Sequence, residues 1–415
     1  MNEFDTKPLK ICLLSYRSNP HCGGQGVYIK NLSHALNRLG HEVDVIAGPP
    51  LPELSPEISL IMMKGLDLYN PANMYKSPPF KKFMDPVNLF EWLSTSSMGY
   101  PEPFTFGVRA YKYLKKRFHR YDIVHDNQSL CYGLLQMQKH IPTITTIHHP
   151  ITRDREIALN SVTATWKKMQ LMRWYSFLRM QKKVARCMKT IVTVSECSKQ
   201  DIAEDFSISE NRIHVVPNGI DTQLFRPLDG IRREKNRIIV TNSADSALKG
   251  LYYLLHAVHD VSKERDIRLT VIGTPKKNGG IEKLVKQLDL GPIVTFTGRI
   301  SNDEFIQHYA RATMAVVPSL YEGFGLPVGE AMACKVPVIC TTGGALPEVA
   351  GDAALLVPPG DAAALSKAIC TLIDHPDYAE KIGAAGYERV HNLFSWEIAA
   401  QKTVDIYKEV IRGYH

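Results

Sequence analysis

The sequence predicts an α/β protein built from two doubly wound, parallel-sheet domains, and three observations predict it. Short β-type runs alternate with helical patterns almost throughout the 415 residues. The alternation falls into two series, separated by residues 215–227 (VVPNGIDTQLFRP), rich in turn formers and carrying prolines 217 and 227, which read as an interdomain linker. The length suits two domains of roughly 100–200 residues each.

In the first series, residues 11–15 (ICLLS) read as a strand, followed by a loop with Gly23, Gly24 and Gly26. A helix comes next: Leu32, Ala35, Leu36 and Leu39 give it one apolar face, and Gly40 is placed to stop it. Residues 42–46, 122–125, 143–147 and 190–194 read as further buried strands, each bordered by helical sequence. Ser195 and Asp201 are start signals around the helix after the last. The second series begins near Arg237, with strands over 238–241, 267–272, 293–296, 314–317 and 337–340 and with helices including 250–262 and 302–311. No repeat of 20–50 residues and no low-complexity stretch is visible. Two doubly wound domains imply a ligand in the cleft at the carboxyl ends of the strands.

Residues 64–107 break the alternation, with six prolines among Tyr69, Phe80, Phe83, Phe90, Trp92, Tyr100 and Phe104. They read as a long irregular excursion, either an acceptor-side wall or a decorative insertion; the aromatic content argues for packing rather than disorder.

Composition excludes several classes. With 44% hydrophobic and 22% charged residues, the chain is neither disordered nor fibrous. No apolar run approaches the 18 or so residues a bilayer helix needs. The opening MNEFDTKPLK, acids first, does not read as a signal peptide. Eight cysteines form no CxxC pair or zinc ladder and read as reduced, mostly buried thiols of a cytoplasmic protein. Fifty basic against 42 acidic residues leave +8, which favours anionic partners.

The strongest chemical signal is EGFGLPVGE, Glu322 to Glu330. Glu322, Gly323, Phe324 and Gly325 fall in a loop after the strand at 314–317, and Pro327 suits the first turn of a following helix. Such a loop offers backbone N–H groups and a helix N-terminus to a diphosphate. The two carboxylates suit ligand hydroxyls rather than phosphates, which they would repel.

Together with other segments, these residues resemble the retaining glycosyltransferases of family 4, which have the GT-B fold. The resemblance runs nearly end to end. It takes in Gly23-Gly24, Leu39-Gly40-His41-Glu42-Val43, Pro217-Asn218-Gly219-Ile220-Asp221, Lys249-Gly250, the paired glutamates, Gly343-Gly344 with Pro347-Glu348, and Phe394-Ser395-Trp396. It implies an acceptor-side domain over 1–218 joined by a crossover helix at 395–415, and a nucleotide-sugar domain over 219–394. By the same resemblance, Glu322 binds hydroxyls of the donor sugar and Glu330 holds the nucleotide ribose. Phe324, Gly325 and Leu326 offer backbone amides to the donor, and Lys249 neutralises the leaving diphosphate. Gly24 belongs to the loop that closes on the phosphates, and His148, with His149 beside it, sits next to the reacting sugar. The implied chemistry is front-face attack with the leaving phosphate as base.

That chemistry is physically coherent: a sugar–phosphate bond that breaks leaves charge on a diphosphate, so preorganised positive groups are the main requirement. There is no Asp-x-Asp pair to hold Mg²⁺ or Mn²⁺ on phosphates, so neither a metal nor another cofactor is expected. Two departures stand out. The family usually has an arginine five or six residues before the lysine; here Ser243 and Ala244 occupy those places, with Arg299 as a compensating cation or a mere surface charge. Lys335 stands where a turn glycine is usual, and a positive φ there would cost on the order of 1 kcal/mol.

Weaker candidates remain. His125 and His148 end neighbouring strands, where a lone histidine is more often a structural hydrogen-bonder; His256 and His259 share a helix face without a visible third metal ligand. Gly24-x-Gly26 lacks the third glycine of the dinucleotide fingerprint, since Ile29 takes its place. Residues 166–189 carry eight basic residues and no acid. There Arg179, Lys182, Lys183 and Arg186 share one helical face opposite Phe177, Met180, Val184 and Met188. That pattern fits a core helix with a solvated back, or a face for anionic lipid at about 1 kcal/mol per cation. No recognition module accompanies the charge, so nucleic acid is not expected.

The expected activity is hexosyl transfer from a nucleoside diphosphate sugar to a hydroxyl acceptor, lipid-linked or glycan, with weak contact to the anionic inner membrane face. The alternatives are a nucleotide-sugar epimerase or hydrolase on the same fold, or a binding protein that has lost catalysis.

Overall fold

The computed structural model describes residues 7–19, 24–70, 77–160, 162–242 and 247–414. The chain divides into two compact units. One comprises Met1–Val194, Lys199–Val216 and Ala399–His415; the other comprises Ser195–Ser198 and Pro217–Ile398. The division thus falls two residues before the expected 218, and the last helix, Trp396–Arg412, begins in the second unit and ends in the first.

The first unit holds a seven-stranded parallel sheet. Its strands are β1 (Lys10–Ser15), β2 (Glu42–Ala47), β3 (Ser59–Met62), β4 (Ile123–Asn127), β5 (Thr143–Thr146), β6 (Ile191–Thr193) and β7 (Ile213–Val215). The spatial order is β3-β2-β1-β4-β5-β6-β7. β1 pairs with β2 from Lys10↔Glu42 to Ser15↔Ala47 and with β4 from Ile11↔Ile123 to Leu14↔Asp126. Strands buried on both faces carry short apolar runs, unbroken in β1 (ICLLS after Lys10) and interrupted by polar residues in β2 (EVDVIA) and β4 (IVHDN), and those runs make β1, β2 and β4–β6 readable. β3 and β7 were not read. β3 is an edge strand, mostly exposed, and β7 is a three-residue edge strand, so neither presents a full apolar run.

The second unit repeats the design with β8 (Arg237–Thr241), β9 (Arg268–Ile272), β10 (Val294–Phe296), β11 (Met314–Val317), β12 (Val338–Thr341) and β13 (Leu355–Val357). Their order is β10-β9-β8-β11-β12-β13, and all ladders are parallel. Strand order reverses between β1 and β4 in one sheet and between β8 and β11 in the other. Those are the switch points where loops at the carboxyl ends diverge and leave room for a ligand.

The stretch 64–107 is irregular only in part: residues 64–70 and 77–79 lie outside any helix or strand, but from Phe80 the chain forms a 3₁₀ turn, Phe80–Met84, then helix Pro86–Ser96 and the start of helix Glu102–Leu114. Proline misled the reading because Pro86 and Pro103 lie in first turns, where a missing N–H costs nothing. Asp85 caps the first helix by accepting from the Val87 N–H at 2.9 Å. The aromatics pack: Phe90 meets Phe104 at 5.1 Å, and Tyr100 meets Trp174 at 4.8 Å, between ring centroids. Arg109 ties helix Glu102–Leu114 to helix Pro86–Ser96 through Glu91 at 2.5 Å and Asn88 at 2.7 Å.

Helix Leu178–Cys187 is a core helix: Leu178, Met180, Val184 and Ala185 are buried, and Arg179, Lys183 and Arg186 face outward. Lys335 does take the left-handed conformation, φ 59°, where its carbonyl accepts from Arg233 at 2.6 Å.

His125 is a buried structural residue. Its Nδ1 lies 2.6 Å from the Tyr407 hydroxyl of the last helix and its Nε2 lies 2.6 Å from Thr146 Oγ1. Burial pushes its pKa down to about 3. The unfolded chain therefore binds a proton below pH ~6.5 that the native state refuses, so stability is full above that pH and falls as pH drops towards 3. Between pH 7 and pH 5, wild type is expected to lose about 2 kcal/mol more than His125→Gln, measured by urea denaturation at each pH. An equal loss in both would refute this.

Candidate active site

In the second unit, three loops at the carboxyl ends of β8, β11 and β12 build one cluster. After β8 the chain reaches the 3₁₀ turn Ala247–Lys249 and then Gly250, φ 65°, whose missing Cβ leaves room for the Pro318 carbonyl oxygen. The Leu320 N–H donates to the Leu248 carbonyl at 2.7 Å, stitching this turn to the loop after β11. Lys249 Nζ thereby lies 2.7 Å from Glu322 Oε1, which also accepts from Ser319 Oγ at 2.8 Å. Both charged side chains are mostly buried, 27% and 14% exposed, so this pair is screened less than a surface one.

The loop turns at Gly325, φ 105°, into helix Leu326–Ala333, with Pro327 in its first turn. A side chain at Gly325 would run into Leu346. Phe324 is buried with its ring 5.7 Å from that of Phe394, so what it presents to a ligand is backbone. One turn into the helix, burial pushes Glu330 up to about 7 against the opposing pull of Lys249, with Glu322 adding a smaller push upward.

The turn after β12 supports the cluster from below. Cβ atoms at Gly343 or Gly344 would collide with the carbonyl oxygens of Leu320 and Glu322 respectively. The Ala345 N–H donates to the Glu322 carbonyl at 2.9 Å, and Thr341 Oγ1 donates to the Ser319 carbonyl at 2.5 Å. The double glycine is thus a close-packing requirement of the Glu322 loop. Four side chains support these loops, and the sequence assigned none of them that part, although Glu348 lies in the Pro347-Glu348 pair. Ser319 holds Glu322, while Ser195 and Ser198 donate to the Gly323 carbonyl at 2.7 and 3.0 Å. Glu348 accepts from the Glu196 and Cys197 N–H groups at 2.8 and 2.7 Å. Ser195 carried only its helix-start signal, and a serine beside a motif carries none.

Arg299 is exposed in the turn after β10 and makes no ion pair with Glu322 or Glu330 among the described residues. Ser243 lies outside the described residues. Among the described residues, no group of three or more His, Cys, Asp or Glu side chains is placed to hold a metal ion, and His259 instead contacts the Leu288 carbonyl at 3.1 Å.

In the first unit, Gly24 opens helix Gly24–Arg38 after β1, and no acid stands in its first turn. Gly26 packs so closely on the Asn19 carbonyl that a Cβ would collide with it. His148 follows β5: its N–H donates to Gln128 Oε1 at 2.9 Å, and its Nε2 lies 2.7 Å from Asn127 Oδ1. The Tyr28 ring meets it edge-on at 4.7 Å. Burial, with His149 and His125 nearby, lowers the His148 pKa to about 3, so the ring is neutral. His149 instead faces Asp154 at 3.1 Å.

Glu330 gives a pH test. Its carboxyl is neutral in the native state up to about pH 7, while the unfolded chain ionises near 4.5. The native state therefore loses stability as pH rises from 4.5 to 7. Glu330→Gln is expected to raise the Tm of the ligand-free protein at pH 8 and leave it nearly unchanged at pH 4.5. Equal shifts at both pH values in scanning calorimetry would refute the assignment.

Comparison with known proteins converges on one family. Residues 22–224 match the family described as Glycosyltransferase Family 4, and residues 226–389 match Glycosyl transferases group 1. The chain is 44% identical over 408 residues to MMP alpha-(1->4)-mannosyltransferase of Mycolicibacterium hassiacum, covering 97% of this chain and 98% of that one. It is 30% identical over 271 residues to alpha-maltose-1-phosphate synthase of Mycolicibacterium smegmatis, covering 59% and 70% of the two. Among solved structures, the sucrose-phosphate synthase of Thermosynechococcus elongatus superposes with a TM-score of 0.75 at 24% identity, covering 97% of this chain and all of that one. HepE of Anabaena in complex with UDP and glucose gives 0.68 at 15%, covering 96% and 99%. With two parallel-sheet units, this succession of motifs and a relative 44% identical along nearly its whole length, the chain belongs to the family 4 glycosyltransferases of the GT-B fold.

Proposed function

We propose that this glycosyltransferase moves a hexose, with retention, from a nucleoside diphosphate sugar to a hydroxyl acceptor, without a resident metal. The observation that carries the reading is the Lys249–Glu322 pair at the N-terminus of helix Leu326–Ala333, at the carboxyl end of the β8/β11 switch point. Lys249 serves the diphosphate, assisted by the helix N-terminus. Glu322 is released from the ammonium as phosphate engages it and accepts from sugar hydroxyls; Glu330 accepts from the ribose, and His148 flanks the reacting carbon. In the transfer, the bond from the anomeric carbon to phosphate oxygen breaks and the bond from the acceptor oxygen to that carbon forms on the same face. The hydroxyl proton passes to the leaving phosphate. The mannosyltransferase relative makes mannose the first hexose to test.

The test incubates the protein with labelled nucleoside diphosphate hexoses, with and without a mannoside acceptor, in buffer containing EDTA. Transfer supports the proposal. Epimer or free sugar points to the epimerase or hydrolase alternative, and binding seen only as a thermal shift points to a non-catalytic binder.

One observation favours a second feature, contact with anionic bilayers. Trp166, Met169 and Met172, spaced three apart on helix Thr165–Trp174, are 63%, 67% and 62% exposed, beside Lys167, Lys168 and Arg173. Apolar side chains backed by cations fit an interfacial face. None of the helices, among the described residues, is long and apolar enough to cross a membrane. Sedimentation with anionic vesicles at low salt, abolished by high salt or by Lys167→Glu/Lys168→Glu, supports it. Equal recovery with neutral and anionic vesicles refutes it and leaves a soluble acceptor.

A further inference from the structure

We propose that Asn127 is a positioning residue of this enzyme: its side-chain amide fixes His148 as the imidazole protonated on Nε2 and ties that ring to the first turn of helix Gly24–Arg38. The proposal rests on the reading of His148 as a residue beside the reacting sugar.

Asn127 is the last residue of β4 and is 1% exposed, so its amide has to find partners inside the protein. Its Nδ2 lies 3.4 Å from the Gln25 backbone oxygen and 3.4 Å from Ser15 Oγ. A backbone carbonyl only accepts, so the nitrogen end of the amide faces the helix and the oxygen end faces His148. That oxygen, 2.7 Å from His148 Nε2, is an acceptor and requires a hydrogen on the ring nitrogen. In the neutral ring, Nδ1 then carries the lone pair.

The surroundings keep the ring neutral. Tyr28 faces it from the helix Gly24–Arg38, His125 from β4 and His149 from the next position, and the Gln128 amide receives its N–H. Among the described residues that face the ring, none is a carboxylate. Asp126, the neighbouring acid on β4, accepts from Ser129, from the Leu130 N–H at 3.0 Å and from Thr145 Oγ1 at 2.9 Å. Asp154 faces His149. One amide therefore holds in register the imidazole that the proposed function sets beside the reacting carbon and the first turn of the helix that opens at Gly24.

The experiment is ¹⁵N NMR of the histidine-labelled, ligand-free protein at pH 7, with the His148 signals assigned by their loss in His148→Gln. The expected spectrum shows Nε2 protonated and Nδ1 bare. Asn127→Asp keeps the shape but places a carboxylate on Nε2. It is expected to turn His148 into an imidazolium near neutral pH and to lower kcat on the order of tenfold with little change in KM. A wild-type spectrum with the hydrogen on Nδ1, or an Asn127→Asp protein whose His148 stays neutral at pH 5, overturns the proposal. Undiminished turnover in His148→Ala, with the expected tautomer in wild type, overturns instead the reading of His148 on which the proposal depends.

Discussion

Lys249→Ala lowers kcat at least tenfold while the protein stays folded; this is the expected result with the largest effect on activity. An ammonium about 4 Å from a charge contributes ~4 kcal/mol at an effective dielectric near 20, before desolvation, equivalent to far more than tenfold. The charge grows on the diphosphate as the bond breaks, so the loss falls on kcat more than on KM. No arginine occupies positions 243 or 244 to share the load. Glu322 keeps Ser319 as a donor, so the cluster retains its shape when the lysine goes. Glu322→Gln, which removes the other half of the 2.7 Å pair, is expected to cost at least tenfold as well. Steady-state kinetics with a Tm measurement on each variant test both. Near wild-type kinetics for Lys249→Ala would show that the phosphates are held elsewhere, with Arg299 the next residue to test.

The second large effect is structural. Gly344→Ala is expected to destabilise the protein by at least about 2 kcal/mol and to cut turnover more than Gly40→Ala does. Gly344 has φ 66°, a conformation that costs an L-residue roughly 1–2 kcal/mol, and the new Cβ would collide with the Glu322 carbonyl. That obstacle is backbone, so relief requires moving the loop that carries Glu322. Gly40 is the control: its φ is 90°, but nothing lies within 4 Å of an added Cβ, so only the conformational cost applies. Denaturant unfolding and kinetics of the two variants decide it; equal effects would mean that the Glu322 loop does not rest on Gly344.

Much of the fold was legible because parallel strands buried on both faces are continuous apolar runs. The strand at 314–317 and the helix Asn302–Arg311 have the bounds expected from the pattern, and the structure adds a Ser301–Glu304 capping box at the start of that helix. Three of the four edge strands were not legible. Residues 59–62, 213–215 and 355–357 extend because a neighbour offers hydrogen bonds, and nothing in their own pattern announces it, whereas the fourth, 294–296, continues an apolar run that did. Residues 80–107 misled for a related reason. Proline marks the first turn of a helix as readily as a break, and only the packed aromatics show which applies.

The candidate site divides in the same way. Motifs with backbone requirements were visible in the chain: Gly250 and Gly325 hold left-handed turns, and Gly343–Gly344 allow two loops to touch. Side-chain partnerships were not. Lys249 and Glu322 are 73 residues apart, and no sequence rule pairs them; the switch of strand order between β8 and β11 does. His125 and His148 looked alike as strand-end histidines. Tertiary contact separates them, locking His125 between Thr146 and Tyr407 and setting His148 on the amide of Asn127. By itself the sequence determined the periodicity of the elements, the family and the residues able to do the chemistry, because those depend on local composition and spacing. Only the tertiary structure decided which of those residues meet, because contacts between distant residues arise from strand order and burial rather than from the local pattern.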